Sequence, residues 1–196
     1  MHDNQSGGTL EGYRRFLGGI AFVARTFAVS VEVFLHRADS FGERYLGLQA
    51  GAALLLIFFW PVFCESHHDP TPMLCFAGLF VLSCMLVRVR TFIRRRRGGP
   101  QPHTRYSGTP DLVHRFKRLD EVKVKQTVEP FLTFAVGAVM LNFSPPLGGY
   151  LMIASAGLLI SNGLAAEYER RRVSDMHDAY LEQCGVAERF RDMRGE

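Results

Sequence analysis

Read from its sequence, the chain is an all-α integral membrane protein. About four transmembrane helices form two hairpins, with an N-terminal interfacial helix and a C-terminal cytoplasmic amphipathic helix. Three observations predict this. Four long apolar stretches, 45–63, 72–87, 128–143 and 147–166, contain no Lys or Arg. The short turns between paired stretches, 64–71 and 144–146, contain none either. All 23 Lys and Arg residues therefore lie on the remaining segments. Cytoplasmic segments of membrane proteins are enriched in these residues, so the pattern predicts a multi-pass protein with both termini in the cytoplasm.

The elements follow in order. Residues 16–35 are nearly long enough to span, but Arg25 and Glu32 interrupt them. Arg25, Glu32 and His36 follow i, i+7, i+11 and make one narrow polar stripe on a helix. A charge at a bilayer centre costs roughly 2.5–3.5 kcal/mol on insertion scales. A helix lying in the membrane surface, stripe toward water, avoids that cost and is the expected arrangement. Ser40 and Glu43 have the spacing of a capping box ahead of the stretch 45–63. That stretch has 19 residues, about 28 Å at 1.5 Å per residue and close to the hydrocarbon thickness. Phe58, Phe59, Trp60 and Phe63 supply interfacial aromatics at its outer end.

Pro72 opens the second span, which runs into Arg88, Arg90 and the run Arg94, Arg95, Arg96, Arg97. Snorkelling arginines allow it to continue past Val87. Residues 98–102 read GGPQP and form a linker. Thr109 and Pro110 are expected to cap a short amphipathic helix, and Asp120 to start another that enters the third span. That span contains Glu129 and Pro130, and Pro130 is expected to kink it. After Ser144, Pro145 and Pro146 turn the chain, the last span continues into a tail with Val173, Met176, Tyr180 and Cys184 at helical spacing. The expected organisation is an N-terminus with surface helix (1–39), first hairpin (40–93), basic cytoplasmic linker (94–127), second hairpin (128–168) and helical tail (169–196).

At 196 residues a single compact unit is the prior. The mean hydropathy of +0.04 averages apolar spans with very polar connectors. Arg outnumbers Lys 20 to 3, a bias of GC-rich bacterial genes that points to a bacterial inner membrane. The first residues lack the basic start and apolar run of a signal peptide, so insertion through uncleaved spans is expected. Cys64 and Cys75 flank the first outward turn. Two small apolar residues near a membrane surface is the favoured reading over a bridge between them.

Four groups are candidate sites. Arg88, Arg90, Arg94, Arg95, Arg96 and Arg97 form a basic cluster that sets topology and attracts anionic headgroups at the cytoplasmic face, by about 1 kcal/mol per charge. No aromatic residue interleaves the last four, so nucleic acid is not expected as a partner. Gly47, Gly51, Gly137, Gly157 and Ser161 offer small faces for close helix packing, and Thr133 extends the notch at Gly137. His67, His68 and Asp69 have metal-ligand chemistry. Adjacent histidines seldom hold one ion, however, and a titratable outer loop is the favoured reading. His103, Arg105 and Tyr106 form a polar loop suited to docking or to a buried turn.

No catalytic or cofactor signature is present, and none is expected. The spans are also expected to lack the buried acids that an ion pathway needs once Arg25 and Glu32 are placed at the surface. A non-enzymatic accessory, scaffold or interaction subunit of a larger membrane assembly is therefore the expected function, with a protein partner or a second copy. A transporter or channel component is the alternative, and a membrane enzyme with its site on the cytoplasmic loop is the third reading.

Overall fold

A computed structural model describes residues 5–42, 45–64, 69–98, 107–115 and 120–194. Among these the fold is all-helical, with no strand. The helices are α1 (Gln5–Leu35), α2 (Leu48–Phe59), α3 (Thr71–Arg96), α4 (Asp111–Arg115), α5 (Glu121–Lys123), α6 (Glu129–Met140) and α7 (Pro145–Arg194). A 3-10 turn, Trp60–Phe63, follows α2, and a wide π turn, Val124–Val128, joins α5 to α6. Three helices contain segments long and apolar enough to cross a membrane: Arg15–Leu35, Thr71–Arg96 and Pro145–Arg194. Leu48–Phe63 is a shorter apolar helix.

The ends of these helices have local causes. Thr71 donates to the Asp69 carboxylate through its amide (2.9 Å) and its hydroxyl (2.6 Å), which ties down the first turn of α3. These bonds also hold the Asp69 carboxyl below its usual titration range. The far end of α3 carries Arg94, Arg95 and Arg96, whose charge suits the negative pole of the helix. Gly98 follows at φ +64°, a conformation that stops helices cheaply only at glycine. Asp120 accepts from the Val122 amide and caps α5. Pro130 has no N–H and would crowd the carbonyl four residues back, so the preceding turn widens from α to π geometry.

Ser40 does not cap a helix, since residues 41 and 42 are not helical. Ser40 instead donates to the Arg37 carbonyl (2.7 Å) and accepts from the Thr109 amide (2.9 Å). Glu43 lies outside the described residues. Tyr45 and Leu46 are buried in a turn, and α2 begins at Leu48 behind Gly47 without a side-chain cap.

The chain forms two compact units, Met1–Ser161 and Asn162–Glu196. In the first, α1 is the central helix. Ala28 and Val29 are fully buried, and the core around them draws Ile57 from α2, Phe80 from α3, and Tyr150, Ala154 and Leu158 from α7. Phe27, Trp60, Phe76 and Tyr150 meet ring to ring at centroid distances of 5.4–6.0 Å. Trp60 also donates to the Pro146 carbonyl (2.9 Å). The outer surface is apolar: Leu55, Leu79, Leu82, Met85, Phe131 and Val139 are all more than half exposed. A water-soluble domain seldom leaves so much apolar surface uncovered, whereas hydrocarbon solvates it at no cost.

The expectation that the polar stripe of 16–35 faces water is corrected. The stripe of Arg25, Glu32 and His36 turns inward, and Glu32 and His36 are buried against other helices. Glu32 meets Arg25 and His36 meets Glu129 inside, which removes the reason for placing the stripe in water.

Candidate functional site

The interior of the first unit contains a row of ionisable side chains. Helical spacing puts Arg25, Glu32 and His36 on one face of α1 over about 16 Å of axis at 1.5 Å per residue. Arg25 Nη1 reaches Glu32 Oε1 at 3.4 Å and donates to Ser161 Oγ on α7 at 3.0 Å. Its guanidinium also lies 4.8 Å from the centre of the Tyr45 ring. The side chain of Glu32 is 1% exposed. Its second oxygen, Oε2, has no hydrogen-bond partner among the described residues.

His36 follows the last residue of α1. Its Nε2 sits 2.9 and 3.1 Å from the two carboxylate oxygens of Glu129, at the start of α6. Its Nδ1 is 2.7 Å from the Ser107 carbonyl. Both members of the His36–Glu129 pair have side chains 1% exposed. Burial alone lowers the imidazole's proton affinity. The hydrogen bond and charge of Glu129, the charge of Glu32 and the Ser107 carbonyl outweigh it, leaving His36 above the ordinary histidine value.

Backbone pairing holds the segment 107–110 against this site. Arg37 N donates to the Thr109 carbonyl (3.1 Å), and His36 and Pro110 form an isolated antiparallel bridge. Gly108 is required here for two reasons. Its φ is +92°, and a Cβ would lie 2.9 Å from Ser40 Oγ and 3.3 Å from His36 Cβ. Lys125, from the π turn, reaches Ser107 Oγ at 3.4 Å and Glu121 at 2.7 Å.

A second feature lies at the basic end of α3. Arg88 donates to the Leu46 carbonyl (3.3 Å). Arg94 donates to the carbonyls of Asp39 and of Phe41, the latter at 3.0 Å. These two arginines tie α3 to the connector between α1 and α2. Arg88, Thr91 and Arg95 line a cavity of roughly 430 Å³ beside Gly42 and Leu46. Arg90, Arg96 and Arg97 are exposed, with Arg96 over the Phe92 ring at 4.6 Å.

The small residues divide. A Cβ on Gly157 would come within 2.8 Å of Phe27 Cβ and 2.9 Å of the Ala24 carbonyl, and Ser161 on the same face holds Arg25. On Gly137 it would meet Met152 at 3.0 Å and the Gly148 carbonyl at 3.1 Å. On Gly51 it would meet open space, and Gly47 is exposed ahead of α2. Asp69 caps α3, while His67, His68, His103, Arg105 and Tyr106 lie outside the described residues. Among the described residues no three His, Cys, Asp or Glu side chains converge as a metal site would require. The four cysteines are free thiols.

Glu129 stands out in the sequence as an acid within an apolar stretch, but its pairing with His36, 93 residues away, leaves no local pattern. The available signal was the expense of an unpaired carboxylate inside an apolar stretch, which demands a partner elsewhere in the chain. Comparison with models of known families, with curated proteins and with solved structures finds no match.

Proposed function

We propose that the chain is a multi-pass membrane protein acting as a non-enzymatic accessory or interaction subunit of a larger membrane assembly. The observation that carries this reading is the apolar stripe on the helical unit Asn162–Glu196. Val173, Met176, Tyr180 and Phe190 are all exposed there among charged neighbours. With Ala187 they follow alternating three- and four-residue steps, interrupted in the step from Tyr180 to Ala187 by Gln183. This is the a/d seam by which one helix packs on another. Its proposed partner is a helix with the same spacing, on a second copy or on another chain of the assembly. A photo-crosslinker at position 180 of the full-length protein in cells should give one discrete adduct, lost when Met176 is replaced by Asp. Absence of a discrete adduct, or its survival in Met176→Asp, would reject the seam.

In this reading α1 crosses the bilayer as a fifth span, which its length, apolarity and inward stripe support. The N-terminus then lies outside and the C-terminus, after Arg170, Arg171 and Arg172, in the cytoplasm. The basic end of α3 faces anionic headgroups of a bacterial inner membrane. One observation favours the second reading, a transporter or channel component. The row Arg25, Glu32, His36 and Glu129 places ionisable groups along the bundle interior, where such pathways run. A proton or ion flux through proteoliposomes containing this chain alone would favour that reading instead.

A further inference from the structure

The hydrogen-bond geometry around His36 fixes a count of protons. The Ser107 carbonyl can only accept, so Nδ1, 2.7 Å away, must carry a hydrogen. A neutral imidazole protonated on Nδ1 has a bare lone pair at Nε2. That lone pair would face an ionised Glu129 carboxylate at 2.9 and 3.1 Å, with no hydrogen between them. The other tautomer turns its lone pair on the Ser107 carbonyl instead. A rotated ring would set carbon atoms against both partners. Every arrangement that satisfies both contacts holds one further proton on the pair, as imidazolium with carboxylate or as imidazole with carboxylic acid.

The surrounding charge agrees. From α1 the pair is faced by Glu32, which is bound to Arg25. From the α5–α6 side Lys125 pairs with Glu121 and reaches Ser107 Oγ, beside the carbonyl that His36 meets. The connector after α1 contributes the exposed Arg37–Asp39 pair and the Phe41 ring, 6.0 Å from the imidazole. With the proton bound, Arg25, Glu32, His36 and Glu129 sum to zero. Without it the buried row carries a net negative charge, and Glu32 Oε2 already lacks a donor among the described residues.

We propose that His36 and Glu129 form a proton-binding site whose occupancy locks α1, α6 and the segment 107–110 together. Loading takes one proton from water and completes both hydrogen bonds of the imidazole. Release returns it to water and leaves a lone pair against a carboxylate, which loosens the junction. A group whose proton affinity is raised by folding stabilises fully below its unfolded value and loses that contribution as pH climbs through the folded one. The junction is thus tightest below the ordinary histidine value of 6.5 and weakens as pH climbs above it.

The test uses the full-length protein in lipid nanodiscs with isotope-labelled His and Glu, and His36→Gln to assign the imidazole resonances. At pH 6.5 a free imidazole is about half neutral. The expected spectrum at that pH shows either imidazolium at His36 or a protonated carboxyl at Glu129. Neutral His36 together with ionised Glu129 would overturn the proposal. Glu129→Gln supplies an amide N–H to the neutral imidazole, so its thermal midpoint should lose the alkaline decline of the unmodified chain. An unchanged decline would also overturn it. If Glu129→Gln does not fold, the spectrum of the unmodified protein decides alone.

Discussion

At the scale of single residues, the interior of this protein depends on close approach and charge pairing. Gly157 lets α7 come within van der Waals reach of Phe27 and Ala24 on α1, where a side chain has no room. Gly157→Leu should therefore force the helices apart, at a cost of about 1–3 kcal/mol or more for overpacking a filled site. The same replacement at Gly51, which meets open space, should leave the isolated chain's thermal midpoint in detergent within error of the unmodified protein. Equal effects at the two positions would contradict this packing. The small-residue spacing on the last span was readable because Gly157 and Ser161 stand one helical turn apart. Gly47 and Gly51 show the same spacing, yet Gly47 precedes α2 and Gly51 faces outward. Spacing alone names a face and not what lies opposite it. The polar stripe of α1 shows the same thing, since its periodicity was plain in the sequence while its partners, Ser161 and Glu129, are more than 90 residues away.

At the scale of elements, the basic end of α3 has two kinds of arginine. Arg94 is spent on the carbonyls of Asp39 and Phe41, while Arg96 and Arg97 are exposed. Arg94→Gln should lower thermal stability by loosening the connector after α1 and change binding to anionic vesicles little. Replacing Arg96 and Arg97 together by Gln should do the reverse, weakening vesicle binding, most clearly at low salt, with stability unchanged. A liposome co-sedimentation series beside thermal melts separates the two, and parallel losses in both variants would contradict the division. The arginine run was legible as a cluster. Its division was not, because that depends on where residues 37–42 fold back. The same long-range pairing explains Ser40, which joins Thr109 and Arg37 in place of the expected cap. Helix ends set by local chemistry, at Asp120 and Gly98, lie where their residue types predict.

At the scale of the whole molecule, the all-helical class and its apolar, membrane-compatible surface followed directly from four Lys- and Arg-free stretches. The role of α1 did not. Its two charges argue for the membrane surface when each is costed alone, and for the bundle interior once Glu32 meets Arg25 and His36 meets Glu129. In the proposed reading α1 crosses the membrane, and the chain then begins on the side opposite its C-terminus. The central claim is that α1 crosses the membrane, and the sidedness of the two ends tests it most directly. Epitope tags at the N- and C-termini, probed by protease in intact cells and again after lysis, report that sidedness. The tags should lie on opposite faces, the N-terminal tag cleaved in intact cells and the C-terminal tag cleaved only after lysis. Two tags protected together until lysis would contradict the claim.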